Sequence, residues 1–488
     1  MPIVTRRRLL ASASIALLGT AAAACAPAAA PTPTPAPAKP VDAPKPDEAP
    51  KPAAAAPAPT TAPAAPAAAP TATAAPKPAT PAAASKQATV RLAIIADYDR
   101  GIVKELTDEY TAKNPSIQVA RVELPPYDGF QEKMLTQLAA GTAPDAMMLL
   151  SYWGAVFGKR GGILLPLDDY LKASGSFSKD AYDKTLLAYT EWNGKLHALP
   201  LNTNVQGILY NKEHFEKAGV TNIPKTQAEA WTWEQFLAVC DKLQAAKTAD
   251  YPYGIYGGGP QGRFIHVYQA GRGIVTPDLK QGDLDNPDSH AALELTQSLF
   301  QKKYTPGEIW TGTGPVANVQ EMFKAAKVSM MHGGQFHITW ARDNLKFPWG
   351  ATYLQKGKVL TTAPGGEVYA AYGQSKVPGE AAAIVQFLAG EGAQKKLNPA
   401  IFRVPSLKSL QEPGAIQWPS HKPEMDLFVD HLKVGSAHML TEYFADGWGK
   451  IDSMLRARCA ELANGAKPAK QWAQEVNQQI TATIKAGD

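Results

Sequence analysis

The sequence has little cysteine and little net charge. Only three cysteines occur among 488 residues, and the formal net charge is +5. Cys240 and Cys459 follow Cys25, which is too few for a disulfide framework, so we predict two buried thiols in helical segments, with a single bridge between them as the alternative. Positive charges are spread along the chain and no Lys/Arg run stands beside aromatic residues, so a nucleic-acid partner is not expected.

Signatures of catalysis and of metal binding are also missing. The sequence contains no G-x-S-x-G and no H-E-x-x-H motif. His332 and His337 could bind a metal only with a third ligand, and the glycine-rich segment 257–263 lacks the Lys-Ser/Thr of a phosphate-binding loop. We therefore predict no catalytic residue, no metal and no cofactor. Two carboxylates about 5 to 10 Å apart would suffice for glycoside hydrolysis, so a cell-surface glycoside hydrolase is the enzymatic alternative.

The N-terminal segment has the features of an export signal. Residues 5–25 read TRRRLLASASIALLGTAAAAC, in which three arginines precede an apolar run too short to cross a bilayer. Residues 1–25 are therefore predicted to be a signal peptide, and the arginines resemble a twin-arginine signal. The AAAC segment resembles the lipobox of bacterial lipoproteins, which implies lipidation of Cys25; cleavage at an Ala-x-Ala site is the alternative. Residues 26–87, rich in Ala, Pro and Thr, are predicted to form a disordered tether.

The remainder of the chain is too long for one core and predicts two lobes. Strands and helices alternate in it, which predicts an α/β fold. The first predicted strands are 89–96, 117–124 and 146–152, and the first predicted helices are 102–114 and 130–141. Ligand sites in such folds lie just past the carboxyl ends of strands. This rule selects five candidate ligand-binding residues, Asp97, Tyr98, Tyr127, Tyr152 and Trp153. A helix cap is the alternative role for Asp97, and a plain turn for Tyr127.

Five motifs, in order, resemble one protein family. They are GTAPDAMML (141–149), GGILLPLDDYL (161–171), GKLHALPLNTNVQGILYNKEHFEKAG (194–219), PGGEVYAAYGQSKVPGEAAAIVQFLAG (364–390) and NGAKPAKQWAQEVNQQI (464–480). From about residue 89 onward the chain is similar to the extracellular solute-binding proteins of ABC importers, in the branch that includes maltose-binding and other sugar-binding proteins. The resemblance implies a two-lobe periplasmic-binding-protein type II fold with hinge crossovers. It implies a first lobe of residues 88–200 and 361–406 and a second of 201–360 and 407–488.

The resemblance implies a binding protein rather than an enzyme. Such a protein captures a sugar or short oligosaccharide by lobe closure and delivers it to the transmembrane subunits of an ABC permease. Here it would act as a monomer held by its lipid anchor at the outer face of the cytoplasmic membrane. Ten Trp and seventeen Tyr residues suit a carbohydrate, because flat rings cover the apolar faces of sugars. Glycerol phosphates and polyamines are the alternative ligands, and a cell-surface adhesin or sensor subunit is the alternative role.

The family pattern adds seven candidate ligand-binding residues, namely Asn202, Asn204, Gln335, Phe336, Glu367, Arg403 and Trp448. Asn202 and Asn204 lie in the first crossover, where amides bind either ligand hydroxyls or the hinge backbone. Gln335 stands where the family usually has a stacking aromatic residue, and Phe336 is next to it. An ion pair within the lobe is the alternative role for Arg403.

Overall fold

The computed structural model describes residues 87–95, 101–124, 127–159, 161–312 and 318–487. The predicted signal peptide, Cys25 and all of the predicted tether except its last residue lie outside these ranges. Within these ranges, no helix has both the length and the apolar character needed to span a membrane.

Thirteen strands in the described residues form two principal sheets and two short ladders. In chain order they are β1 (Ala88–Ile95), β2 (Ile117–Leu124), β3 (Ala146–Leu150), β4 (Glu191–Trp192), β5 (Lys195–Leu196), β6 (Leu199–Pro200), β7 (Asn202–Thr203), β8 (Gln206–Asn211), β9 (Tyr251–Gly254), β10 (Val328–Gly334), β11 (Trp349–Thr352), β12 (Glu367–Ala371) and β13 (Val404–Pro405). The first sheet has the order β2-β1-β3-β12-β6, and the second has the order β11-β8-β10-β9. The short ladders are β4-β5 and β7-β13.

Helices cover both sheets. In chain order the α-helices of the described residues are α1 (Ile102–Lys113), α2 (Tyr127–Ala139), α3 (Ser151–Lys159), α4 (Asp168–Ser174), α5 (Lys184–Leu187), α6 (Lys212–Lys217), α7 (Trp233–Ala245), α8 (Pro260–Arg263), α9 (Ile265–Gln269), α10 (Pro287–Gln301), α11 (Gly307–Thr311), α12 (Val319–Lys324), α13 (Ile338–Asn344), α14 (Pro378–Leu388), α15 (Glu391–Ala400), α16 (Lys408–Gln411), α17 (Lys422–Leu432), α18 (His438–Thr441), α19 (Trp448–Ala463) and α20 (Ala469–Ala486). Short 3-10 helices lie at Lys179–Ala181, Gln335–His337 and Glu442–Phe444.

The first sheet starts with parallel strands. β1 pairs in parallel with β2 and β3, while β12 pairs antiparallel with β3 and β6. The predicted strands and helices of this part are confirmed, with ends that differ by at most three residues. Strand β3 ends at Leu150, two residues before its predicted end. The N–H of Ser151 donates to Gly366 O at 2.8 Å, and helix α3 begins there.

Each sheet has its own apolar core. Buried side chains of the first sheet, such as Ile94 and Met147, form one cluster with the helices around it. In the second sheet the neighbours Met330 and Met331 enter two different clusters, since successive side chains of a strand point to opposite faces. We call the parts built on the two sheets the first lobe and the second lobe.

The two cysteines of the described chain, Cys240 and Cys459, are buried in the second lobe and are not bonded to each other. This confirms the prediction of two buried thiols. Burial raises the pKa of the Cys459 thiol to about 12, as expected of a thiol in apolar surroundings.

Short chain crossings join the lobes. The ladder of β7 with β13 is one such crossing, and the N–H of Asn204 donates to Gly365 O at 3.0 Å beside it. We call these crossing segments the hinge. Leu407 and Leu410 pack into the core of the first lobe, although that lobe was predicted to end at residue 406. The lobe boundaries stay a prediction, whereas the α/β architecture with two sheets is confirmed.

Candidate ligand-binding cleft

Tyr152 and Trp153 lie in the first turn of α3, at the carboxyl end of β3. Both side chains are partly exposed, and their ring centroids are 4.9 Å apart. Trp153 also packs on Phe157 at 5.2 Å. Because the buried strand continues directly into the helix, the two rings stand at the sheet edge at which ligands bind in α/β folds. Their position agrees with the sequence rule, and their binding role stays a prediction.

The second lobe contributes Tyr443, which the sequence reasoning missed. Its ring centroid is 5.6 Å from that of Tyr152 and 5.4 Å from that of Trp448. It packs against the apolar cores of both lobes, and its hydroxyl donates to Gln261 Oε1 at 2.5 Å. Trp448, a predicted ligand contact, is only 5% exposed and supports Tyr443 from the side of the core. Tyr152 and Tyr443 therefore form an aromatic contact between the lobes.

Neighbouring contacts hold this part of the second lobe against the first. Phe444 stacks on Trp192 with ring centroids 5.1 Å apart and planes inclined by 27°. Asp446 forms an ion pair with Lys159 at the end of α3, and Lys159 Nζ lies 5.9 Å from the Trp192 ring. The position of Tyr443 relative to Tyr152 is therefore set by an apolar stack and an ion pair.

Tyr256, two residues after β9, is a second aromatic residue that the sequence reasoning missed. Its ring centroid is 5.5 Å from that of His332 and 6.3 Å from that of Phe336. A Cβ atom at Gly258 or Gly262 would overlap the Tyr256 side chain. The glycine-rich segment therefore provides the space that this ring occupies. A tyrosine before three glycines, just past a strand, is the sequence signal that would have located it.

Helix α19 brings opposite charges to the same region. Trp448, Asp452 and Arg456 follow each other at four-residue spacing, so they share one helix face. Arg456 Nε donates to Asp452 Oδ2 at 3.0 Å, and the two side chains are 48% and 25% exposed. The sequence reasoning missed this pair, which the same spacing from Trp448 would have indicated.

The charged pair shares a helix face with Trp448, whose ring contacts Tyr443, and its charges act on Tyr152 and Tyr256. Burial raises the pKa of Tyr152 to about 12, and the nearby Asp452 carboxylate adds to the rise while Arg456 opposes it. Burial also raises the pKa of Tyr256, against the opposing charges of Arg263 and Arg456. The rings and the charged groups therefore form one site, which can offer flat apolar faces together with hydrogen-bond donors and acceptors.

Gln335 lies at the hinge and has no exposed surface. Its Oε1 accepts from Val205 N at 2.7 Å, and its Nε2 donates to Thr203 O at 2.9 Å and to Asn204 Oδ1 at 3.3 Å. These contacts join the end of β10 to the crossover between the lobes. In this structure, therefore, Gln335 holds the hinge backbone and does not face the cleft, while its neighbour Phe336 is partly exposed beside Tyr256.

Four other predicted residues also lie at the hinge. Asn202 is fully buried, and its Oδ1 accepts from Glu367 N at 3.2 Å. Glu367 is itself fully buried, and its Oε2 lies 3.8 Å from Arg403 Nε. These contacts match the alternative roles of hinge bonding for Asn202 and of an ion pair for Arg403. Asn204 is partly exposed.

Three other predicted ligand-binding residues belong to the first lobe. Asp97 and Tyr98 lie outside the described residues. Tyr127 is the first residue of α2. The binding roles of these three residues stay predictions.

The sequence profile of the bacterial extracellular solute-binding protein family matches residues 105–424, which is more than half of the chain. The chain therefore belongs to this family, and the family identifies a location outside the cytoplasm. A Brucella abortus protein named as a binding protein is 28% identical over 277 residues, which cover 52% of this chain. The match spans 64% of the length of that relative. The lactose-binding protein of Rhizobium radiobacter is 26% identical over 153 residues, covering 30% of this chain and 34% of that protein.

The fold is shared with solved structures of solute-binding proteins. The ABC substrate-binding protein of Listeria monocytogenes in complex with cycloalternan superposes with a TM-score of 0.68 at 18% identity. The superposition covers 82% of this chain and 99% of that one. This likeness confirms the predicted two-lobe, periplasmic-binding-protein type II fold.

Proposed function

We propose that this chain is the substrate-binding component of an ABC importer and captures a sugar or short oligosaccharide. The contact between Tyr152 of the first lobe and Tyr443 of the second, beside the Asp452–Arg456 pair, carries this proposal. Aromatic faces cover the apolar faces of sugar rings, and the charged pair can bond their hydroxyls. Family membership, the lactose-binding relative and the cycloalternan-bound neighbour support the same ligand class.

The mechanism is lobe closure. A ligand bound beside the Tyr152–Tyr443 contact touches both lobes at once, so it stabilises the closed arrangement relative to more open ones. The hinge absorbs the movement, because the crossings bonded by Gln335 and Asn204 that join the two sheets are short. The transmembrane subunits of the permease would then recognise the closed form.

Within this proposal the residues of the cleft and the hinge divide into two groups. One group contacts the ligand or supports the contacting rings, namely Tyr152, Trp153, Tyr256, Phe336, Tyr443 and Trp448. The other group sets the hinge geometry, namely Asn202, Asn204, Gln335, Glu367 and Arg403. Asp97, Tyr98 and Tyr127 remain proposed contacts from the first lobe.

We further propose that lipidated Cys25 and the tether hold the protein, as a monomer, at the outer face of the cytoplasmic membrane. Cys25→Ala should move the protein from the membrane fraction to the medium, because the acyl anchor is lost. Cys240→Ala, which removes a buried thiol, is the matched control and should stay with the membrane. Unchanged membrane association of Cys25→Ala would contradict the anchor.

A thermal-shift screen of the purified protein tests the proposed function. A solute that binds only the native state stabilises it by about 2.7 kcal/mol at 100 times its dissociation constant. We expect carbohydrates to raise the unfolding temperature and the polyamine spermidine to leave it unchanged. A shift with spermidine and none with any carbohydrate or polyol would contradict the proposal, and hydrolysis of a chromogenic glycoside would favour the glycosidase.

A further inference from the structure

Arg263 is a buried cation without an acidic partner. It is the last residue of α8 and is 2% exposed. Its Nε donates to Trp310 O at 3.2 Å, and its Nη2 donates to Gly257 O. Its Nη1 is buried without a hydrogen-bond partner, and the guanidinium forms no ion pair with any carboxylate of the described residues. Two backbone carbonyls therefore hold this side chain, and its positive charge is left unbalanced.

The Arg263 guanidinium lies close to the candidate cleft. It bonds the carbonyl of Gly257, the residue after Tyr256, and the charges of Arg456 and Asp452 act on it. Tyr256 borders the cleft beside Phe336, and Arg456 also acts on Tyr152. The charges of both arginines therefore act on Tyr256. Arg263 lies inside the second lobe, and Arg456 is half exposed at its surface.

The charges around Tyr256 do not cancel. Asp452 accepts from Arg456 at 3.0 Å and supplies one negative charge for the two arginines. A buried charge without a counter-charge is costly, so proteins keep few of them outside functional sites. A fixed positive charge beside a cleft attracts anions and strengthens their binding where water is excluded. The unbalanced charge of Arg263 therefore points to an anionic ligand.

We propose that the ligand is a sugar or polyol that carries one anionic oxygen group, a carboxylate or a phosphate. Arg456 binds this group at the cleft surface, where its exposed guanidinium can leave Asp452. Arg263 is a positioning residue that supplies positive charge from behind Tyr256. The proposal rests on the proposed function and narrows its ligand class from carbohydrates in general to acidic ones.

Pairs of probes test this proposal. The members of each pair share one carbon skeleton, and one member is neutral while the other is anionic. Glucose is compared with glucuronate and glucose 6-phosphate, and glycerol is compared with glycerol 3-phosphate, by calorimetry at low salt. We expect the anionic member of at least one pair to bind tenfold or more tightly than its neutral partner, and added NaCl to weaken only the anionic probe. Tighter binding of glucuronate would identify the anionic group as a carboxylate, and tighter binding of a phosphate probe would identify it as a phosphate. Equal or tighter binding of the neutral members would overturn the proposal and leave the proposed function standing, whereas no binding of any probe would count against both.

Two variants locate the charge that recognises the anion. Arg456→Gln should abolish the tenfold preference for the anionic probe, and Arg263→Gln should reduce it while neutral binding is retained. Lys450→Gln removes an equal charge from the same helix, where Lys450 Nζ bonds Gly487 O, and should change neither value. An unchanged preference in Arg456→Gln would contradict the assignment. Arg456→Gln changes an exposed side chain, so this variant should fold. Its result can therefore be interpreted even if Arg263→Gln fails to fold.

Discussion

Replacing Gln335 with methionine separates a hinge role from a ligand-contact role. Methionine has nearly the volume of glutamine but loses all three side-chain hydrogen bonds of Gln335. The Val205 N–H would be left buried without its acceptor, which costs about 1–3 kcal/mol, and each of the other two bonds contributes about 0.5–1.5 kcal/mol. Water can replace part of the lost bonding at the partly exposed Asn204, which lowers the total free-energy cost. We expect the free energy of unfolding to fall by about 2–4 kcal/mol.

Urea denaturation of Gln335→Met measures this change. Gln301→Met, at the exposed end of α10, is the matched control and should alter the unfolding free energy by no more than about 0.5 kcal/mol. Affinity for a sugar found in the thermal-shift screen should change less in Gln335→Met than in variants of the cleft rings. A tenfold loss of affinity with unchanged stability would refute the hinge assignment and return Gln335 to the ligand site.

Two further results are expected from the second lobe. Burial lowers the pKa of His332 and of His337 to about 3, from about 6.5 in the unfolded chain. As the pH drops, the unfolded chain therefore binds protons before the folded chain does. The free energy of unfolding should fall between about pH 6.5 and about pH 3. Each histidine costs about 1.4 kcal/mol per pH unit in that window, and a urea midpoint that stays constant from pH 6.5 to pH 5 would contradict the burial of neutral rings. Gly262→Ala should displace the Tyr256 ring, reduce stability by about 1–3 kcal/mol and weaken sugar binding, whereas Gly392→Ala, at a site with open space, should do neither. Calorimetry and thermal unfolding of both variants check this, and equal behaviour would show that the ring does not need the space.

Local sequence patterns predicted the strand ends but not every aromatic residue that lies beside them. Tyr152 and Trp153 could be predicted because a buried run of β-forming residues ends just before them, and that signal is local. Tyr443 could not, because its neighbour Tyr152 is brought to it by packing between lobes rather than by spacing along the chain. Tyr256 had a local signal, the glycines that follow it, but these suggested only a loop.

The same limit explains the hinge residues. Gln335 and Asn202 are polar residues near strand ends, which is also the pattern of a ligand contact. Their bonds run to Val205 and Glu367, more than 100 residues away along the chain. Whether such an amide faces the cleft or the hinge depends on these long-range partners, which no local pattern of a single sequence contains.

Calorimetry on Tyr443→Ala tests the central claim, that rings of both lobes bind one ligand. The titrant is the sugar or polyol that gives the largest thermal shift, and Tyr170→Ala, a partly exposed tyrosine of α4, is the control. Loss of a stacking ring and its buried area should raise the dissociation constant at least tenfold, since 1.4 kcal/mol is a factor of ten. The control should bind as the unmodified protein does. Equal affinities in the two variants would contradict a binding site formed by Tyr152 and Tyr443.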